Sequence, residues 1–193
     1  MRNNRTYNIR EKCGERGQAL VELAIALPLL VLLIMGVVDY SRAIHAKSII
    51  TNMSREAANL VSRANVNLSN NEAQDFPNVM NLVGKTAQPL DMANQGMMYI
   101  SKVEYANNNP PNKITTYIPW SMGMGTSIPY RSKINPNNTN VITNNVYVTP
   151  ANLNGITLAS GEPPTYVVEI FYKYKSILLG NKFSPTLYTI SIF

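Results

Sequence analysis

The sequence has very few of the residues on which catalytic and metal sites depend. Of its 193 residues, one is a cysteine, Cys13, and one is a histidine, His45. A single cysteine excludes an internal disulfide and a four-cysteine metal site, and a serine–histidine–aspartate triad would have to use His45. Three carboxylates of the C-terminal half, Glu104, Glu162 and Glu169, are scattered without a spacing that indicates a pair. We therefore predict no enzyme activity, no catalytic residue, no metal site and no cofactor.

Positive charge is in excess, but it is concentrated near the N-terminus. The formal net charge is +6, and five of the 17 basic residues precede Gly17: Arg2, Arg5, Arg10, Lys12 and Arg16. The chain beyond Gly17 has 12 basic and 9 acidic residues. The high isoelectric point is thus partly a property of a short leader, and we predict no nucleic-acid partner.

The sequence has a single long hydrophobic run, residues 19–38. As a helix the run is about 30 Å long, enough to cross a bilayer once. Pro28 and Gly36 lie within it, and membrane helices tolerate both, with a local kink expected at Pro28. The basic leader favours a cytoplasmic N-terminus and a C-terminal part outside the membrane. Lipid is therefore a predicted partner of this segment.

A helical pattern continues beyond the run. Apolar residues recur at spacings of three or four, as in Ile49, Met53 and Ala57, which predicts one helix over residues 19–64, half in lipid and half amphipathic. Asp39 and Arg42 stand three residues apart at the membrane exit. Either they form an ordinary solvated pair, or they take part in a contact between subunits.

Alternating patterns in the C-terminal half predict strands. They cover residues 99–105, 166–174 and 188–192, with a hairpin at "VITNNVYV" that turns at Asn144 and Asn145. A short helix or turns precede them at residues 78–98, and Trp120 is placed in a loop. The predicted fold class is α+β: a long N-terminal helix, transmembrane and then amphipathic, followed by a small antiparallel β-sheet domain with long loops. The domains are a cytoplasmic basic leader at 1–17, a transmembrane and then amphipathic helix at 18–64 and a β-rich extracytoplasmic part at 65–193.

Glu22 is the feature of the hydrophobic run that needs an explanation, because a carboxylate in lipid is costly. A cleaved secretory signal is disfavoured, since the run is too long and no small-x-small site follows it. An uncleaved anchor, in which Glu22 reaches the headgroup layer, remains open. In a third interpretation the chain is cut between Gly17 and Gln18. Glu22 then lies one helical turn from a new α-amino group, where it can pair with the amine of its own or a neighbouring subunit and set their register.

An ordered set of residues also carries a family resemblance. The segment "RGQALVELAIALPLLVLLIMGVVDYSRAI" resembles the signature of TadE-like proteins, pseudopilins of the tight-adherence (Tad/Flp) pilus system. The matching positions are Gly17, Gln18, Ala19, Val21, Glu22, Pro28, Asp39, Tyr40 and Arg42. Leu23 departs from the tyrosine that abundant Flp pilins place after the glutamate, and the chain is far longer than an Flp pilin. Both departures favour a minor or initiating component over the main filament subunit.

The resemblance implies a mechanism and a set of partners. A prepilin peptidase, an aspartyl membrane protease, is expected to cut between Gly17 and Gln18 on the cytoplasmic face of the bacterial inner membrane. Glu22 is then expected to set the register with other pilins or pseudopilins through the N-terminal helix. The Tad inner-membrane assembly machinery and its ATPase are expected to extract the helix into a pilus. The outer domain is expected to act in assembly, initiation or adhesion. The alternative is a membrane-anchored binding or adhesion domain whose leader is never removed.

Overall fold

The computed structural model describes residues 7–67, 72–108, 111–120, 130–134, 146–153, 155–178, 180 and 184–193. The chain begins with one long helix, α1 (Tyr7–Asn67), followed by α2 (Glu72–Thr86) and the single turn α3 (Met92–Gln95). Five strands follow in chain order: β1 (Gly96–Tyr105), β2 (Asn112–Trp120), β3 (Val146–Val148), β4 (Thr165–Lys173) and β5 (Thr186–Ile192). A 3₁₀ turn, Pro150–Leu153, lies between β3 and β4. The predicted α+β class, with a long N-terminal helix and a small antiparallel sheet, is confirmed.

The five strands form one antiparallel sheet in the order β3-β2-β1-β4-β5. The two long central strands, β1 and β4, pair from Gly96 with Tyr172 to Val103 with Thr165. Neighbours β2 and β5 extend the sheet on either side, and the three-residue β3 forms one edge. A short edge strand leaves few unpaired backbone groups, which limits pairing with another chain.

One face of the sheet is covered by the second half of α1 and by α2. The buried positions of α1 recur at spacings of three and four, so they form one stripe along the helix: Ala46, Ile50, Met53, Ala57, Ala58 and Val61. The sheet meets this stripe with alternate residues of β4 and its extension: Tyr166, Val168, Ile170, Tyr172 and Tyr174. The tyrosines of this strand are therefore part of the core.

The opposite face of the sheet holds a second core. Tyr99 and Phe171 pack edge to face there, with ring centroids 6.0 Å apart. Residues from the connection between β2 and β3 and from the segment before β4, such as Ile134 and Leu158, cover this face. Asn112 holds that segment in place, because its side chain accepts from the Leu158 N–H at 2.9 Å and donates to a carbonyl nearby.

The structure differs from the sequence prediction at several boundaries. α1 begins at Tyr7, inside the leader, rather than near residue 19, and it ends at Asn67, three residues past the predicted end. Trp120 ends strand β2, where it pairs with Met98, so its placement in a loop was wrong. The predicted turn at Asn144 and Asn145 lies outside the described residues.

Candidate functional site

The apolar run of α1 is a helical stretch whose side chains are mostly exposed. Every side chain from Gln18 to Met35 is exposed, including Leu20 at 67 % and Ile25 at 70 %. Monomeric soluble proteins rarely expose a contiguous apolar surface of this size. Within the described part of the chain, this helix is the one that is long and apolar enough to cross a membrane. One such N-terminal helix fits a single-pass membrane anchor.

Gly17 and Gln18 lie inside α1, and both are exposed. A Cβ added to Gly17 would have no heavy atom within 4 Å. Glycine in a helix interior costs about 1 kcal/mol relative to alanine, and packing around Gly17 does not require the absence of a side chain. The chain itself therefore gives no reason for a glycine at position 17, and any such reason lies in a molecule that contacts the chain.

Glu22 is exposed on the same side of α1 as Tyr40. The two residues are 18 positions apart, which is about five helical turns at 3.6 residues per turn. Tyr40 is 70 % exposed, and Val37 and Ile44, three positions before it and four after it, are 69 % and 54 % exposed. This exposed apolar stripe is separate from the face that packs on the sheet. Glu22, like every other residue from Gln18 to Met35, is exposed and so is available to other molecules.

Pro28 and Gly36 occupy the membrane-length part of α1 without ending it. Pro28 lacks an N–H, so the carbonyl of Ala24 loses its usual helical partner. A Cβ on Gly36 would meet nothing within 4 Å. Gly36 is thus a second glycine of the same helix whose side chain could be enlarged without a clash in the chain.

Asp39, the first residue after the apolar run, joins α1 to the loop that follows β4. Its carboxylate accepts hydrogen bonds from the Tyr174 hydroxyl at 2.6 Å, from the Ile177 N–H at 3.1 Å and from the Ser176 hydroxyl. These donors are 135 to 138 positions away in sequence. Arg42, one turn further along α1, is exposed and lies near enough to act on Asp39 as a positive charge. The expected contact between subunits at Asp39 and Arg42 stays a prediction.

The Tyr174 hydroxyl donates its hydrogen bond to Asp39 across the physiological pH range. Burial, the hydrogen bond to Asp39 and the negative charge of that carboxylate raise the pKa of Tyr174 to about 12. The phenol therefore keeps its proton across the physiological range, and the bond to Asp39 does not depend on pH there.

Glu169 is the buried carboxylate of the second core, and sequence analysis did not indicate its burial. Glu169 is completely buried. The carboxylate accepts from the Tyr188 hydroxyl at 2.8 Å, from the Lys133 N–H at 2.9 Å and from the Ser132 hydroxyl. Burial raises the pKa of Glu169, and the hydrogen bonds that its carboxylate accepts partly oppose that rise. The network fastens residues 132–134 to strands β4 and β5, so its role is structural.

The amine of Lys133 lies 3.9 Å from the centre of the Tyr188 ring, a cation–π contact that covers the outer side of this network. Burial and the charge of Glu169 raise the pKa of Tyr188 above its ordinary value, so this phenol also stays protonated. Among the described residues, no group of three or more histidine, cysteine or acidic side chains is arranged to hold a metal ion.

A second exposed apolar surface lies where the apolar run meets the loop after β4. Ile177 and Leu178 line a shallow crevice of about 100 Å³ together with Ile34, Met35 and Val38. Sequence analysis did not select Ile177 and Leu178. The sequence feature that could have indicated them is the short apolar run after Lys175. It lies in a loop, and the position of this loop beside α1 is evident only from the fold.

The comparisons with known proteins agree with the N-terminal half of this description. A family model described as "TadE-like protein" matches residues 17–59. The match begins at Gly17 and ends within the part of α1 that packs on the sheet. Neither a curated protein nor a solved structure was found to match the chain. The predicted resemblance is thus confirmed for the long helix: residues 17–59 match the TadE-like family, which points to a protein associated with the Tad pilus.

Proposed function

We propose that this chain is a minor pilin or pseudopilin of a tight-adherence pilus. It is made as a single-pass protein of the bacterial inner membrane, with residues 1–17 in the cytoplasm and the sheet outside. A prepilin peptidase cuts it between Gly17 and Gln18. The mature helix then joins other pilins or pseudopilins, and the Tad inner-membrane machinery moves it toward a filament. In this role the sheet domain acts in assembly, initiation or adhesion.

The observation that carries the proposal is the coincidence of three features at one point of α1. A basic leader ends at Gly17, a glycine for which the chain itself has no packing reason. The exposed apolar helix starts directly after it, and the TadE-like match starts at the same residue. A residue without a side chain fits a narrow protease subsite, and leader cations hold a substrate at an anionic membrane surface.

The exposed stripe on α1 supports the second step, association with other subunits. Val37, Tyr40 and Ile44 are each more than half exposed on a helix whose other face is packed on the sheet. Glu22 lies on the same side. A bundle of such helices is a low-dielectric environment. In it, the new α-amino group at Gln18 and the Glu22 carboxylate are favourable only when they are paired.

The first test replaces Gly17 with phenylalanine and compares it with the same change at Gly36. Both glycines lie in α1 and both have open space around an added side chain, so neither substitution is expected to disturb the fold. We expect Gly17→Phe to abolish cleavage when the protein is made together with a prepilin peptidase, while it still inserts into the membrane. Gly36→Phe should be cleaved like the unaltered protein.

Cleavage is read as the mobility shift that the loss of 17 residues produces, and insertion as resistance to carbonate extraction. Normal cleavage of Gly17→Phe would contradict the proposed site. Loss of cleavage in both variants would mean that the helix as a whole, rather than the position of Gly17, is what the protease requires.

A further inference from the structure

The loop after β4 is fixed at the level where the apolar run of α1 ends. We call residues 174–178 the junction loop. Three of its groups, the Tyr174 and Ser176 hydroxyls and the Ile177 N–H, donate to the carboxylate of Asp39. Because three bonds to one carboxylate constrain both position and orientation, the junction loop is held against α1 rather than free to move away from it.

Two apolar side chains of the junction loop remain exposed in this position. Ile177 is 54 % and Leu178 is 38 % exposed, although both line a crevice against α1. Their neighbours on α1 are Ile34, Met35 and Val38, which belong to the apolar run. These exposed aliphatic side chains extend the apolar surface of a membrane-length helix. Like that helix, they are more favourable in lipid than in water.

The depth of these side chains follows from their neighbours. Ile34 precedes Asp39 by five residues, which is about 7.5 Å along a helix axis. Apolar side chains that enter a bilayer from its surface reach about 5–10 Å below the headgroup level. The side chains that share a crevice with Ile34 to Val38 therefore lie within the boundary between headgroups and acyl chains if α1 crosses the membrane.

Charge near the junction loop fits the same placement. Lys173 and Lys175 are exposed. Tyr174, which lies between them, and Ser176, which follows Lys175, are buried toward α1. Arg42 is exposed on the adjacent turn of α1. Cations directly above an apolar tip match the phosphates of anionic lipid, and they do not match the acyl region.

We propose that the junction loop is a second membrane contact, in which Ile177 and Leu178 enter the headgroup–acyl boundary of the outer leaflet beside α1. Lys173 and Lys175 lie at the level of the lipid phosphates. This inference rests on the membrane crossing of α1 in the proposed function, but it does not depend on cleavage at Gly17. Its consequence is a sheet domain whose membrane-proximal end is fastened to the bilayer until α1 is extracted.

The experiment measures the depth of labels on the full chain in vesicles of phosphatidylethanolamine and phosphatidylglycerol. In a Cys13→Ser background, single cysteines replace Ile177, Val37 or Ser160 and receive an environment-sensitive fluorophore. Val37 is an exposed position of the apolar run, and Ser160 is an exposed position of a sheet-domain loop. Nitroxide lipids, labelled near the headgroup, and a water-soluble quencher are added in turn, at low protein density to keep molecules apart.

We expect the nitroxide lipid to quench the label at 177 to an extent similar to that at 37, with a blue-shifted emission at both. The label at 160 should respond to the water-soluble quencher alone. A label at 177 that behaves like the one at 160 would overturn the proposal while leaving the membrane crossing intact. A label at 177 that is shielded from both quenchers would overturn it in favour of a protein contact. Aqueous behaviour at 37 as well would overturn the membrane crossing and the lipid contact together.

Discussion

At the scale of single residues, the carboxylates of this protein divide into two kinds by their surroundings. Asp39 and Glu169 each accept three hydrogen bonds from distant parts of the chain, and each fastens one segment to another. Glu22 is exposed on the part of α1 that does not pack on the sheet. Because a carboxylate in lipid is costly when it is unpaired, we propose that Glu22 finds its partner in the α-amino group that cleavage creates or in another molecule.

Replacing Glu22 with alanine should leave cleavage at Gly17 unchanged and impair assembly. The reason is that the substitution removes the partner of the new α-amino group but leaves the residues on either side of the cut unchanged. The measurement is recovery of the protein in the sheared surface fraction, together with filament counts by electron microscopy. Glu56→Ala is the matched control, since Glu56 is an exposed carboxylate of the same helix outside the apolar run. Normal assembly of Glu22→Ala would show that the charge does not set the register.

Glu169 should make the stability of the sheet domain depend on pH. Burial raises its pKa above the ordinary value, so its favourable contribution is complete below the ordinary glutamate pKa of about 4.3. That contribution is lost as pH rises through the higher pKa of the folded state, where an ionised carboxylate must stay buried. We therefore expect the stability advantage of the unaltered protein over Glu169→Gln to shrink as pH is raised from acidic to neutral.

The measurement is thermal unfolding of the detergent-solubilised full chain at several pH values, followed by near-ultraviolet circular dichroism. Because other groups titrate equally in both proteins, the difference between the two unfolding temperatures isolates Glu169. A difference that stays constant or grows with pH would contradict the assigned direction of the pKa.

At the scale of elements, α1 has two functions along one continuous helix. Its second half packs on the sheet through a stripe that includes Ala46, Ile50 and Ala57, and its first half is exposed. Alanines in the stripe bring the helix close to the sheet, and larger residues fill the space between them. The same helix therefore anchors a folded domain and presents an apolar surface to the surroundings.

Two isoleucines of α1 provide a matched test of this division. Ile50 is completely buried and Ile44, on the unpacked side, is 54 % exposed. We expect Ile50→Ala to lower the free energy of unfolding by about 2–5 kcal/mol, because it opens a cavity under the sheet. Ile44→Ala should change it by no more than about 0.5 kcal/mol. Chemical unfolding of both variants in detergent is the measurement, and equal losses would contradict the packing of α1 described above.

Periodicity predicted the long helix and three of the five strands, and none of the hydrogen bonds that join distant segments. The spacing of apolar residues was sufficient for α1 and for strands β1, β4 and β5, because each pattern is local. Burial of Glu169 depends on Ser132 and Lys133, 37 and 36 positions earlier, and an alternating strand pattern assigns a face without saying what covers it. The partners of Asp39 could not be predicted for the same reason, since they lie more than 130 positions away.

At the scale of the whole molecule, an exposed apolar helix and a folded sheet domain are joined at Asp39 and along the second half of α1. The junction has a mechanical consequence for the proposed function. Because the sheet is packed on α1 through a hydrophobic core, any force that draws α1 out of the bilayer moves the sheet domain with it. The domain is thus carried to wherever the helix assembles.

The central claim is that the functional protein starts at Gln18. Its most direct test is the intact mass and N-terminal sequence of the protein purified from membranes and from sheared pili of the native host. We expect a first residue of Gln18 and a mass lower by that of residues 1–17. A protein that still carries Met1 to Gly17 in functional filaments would contradict it.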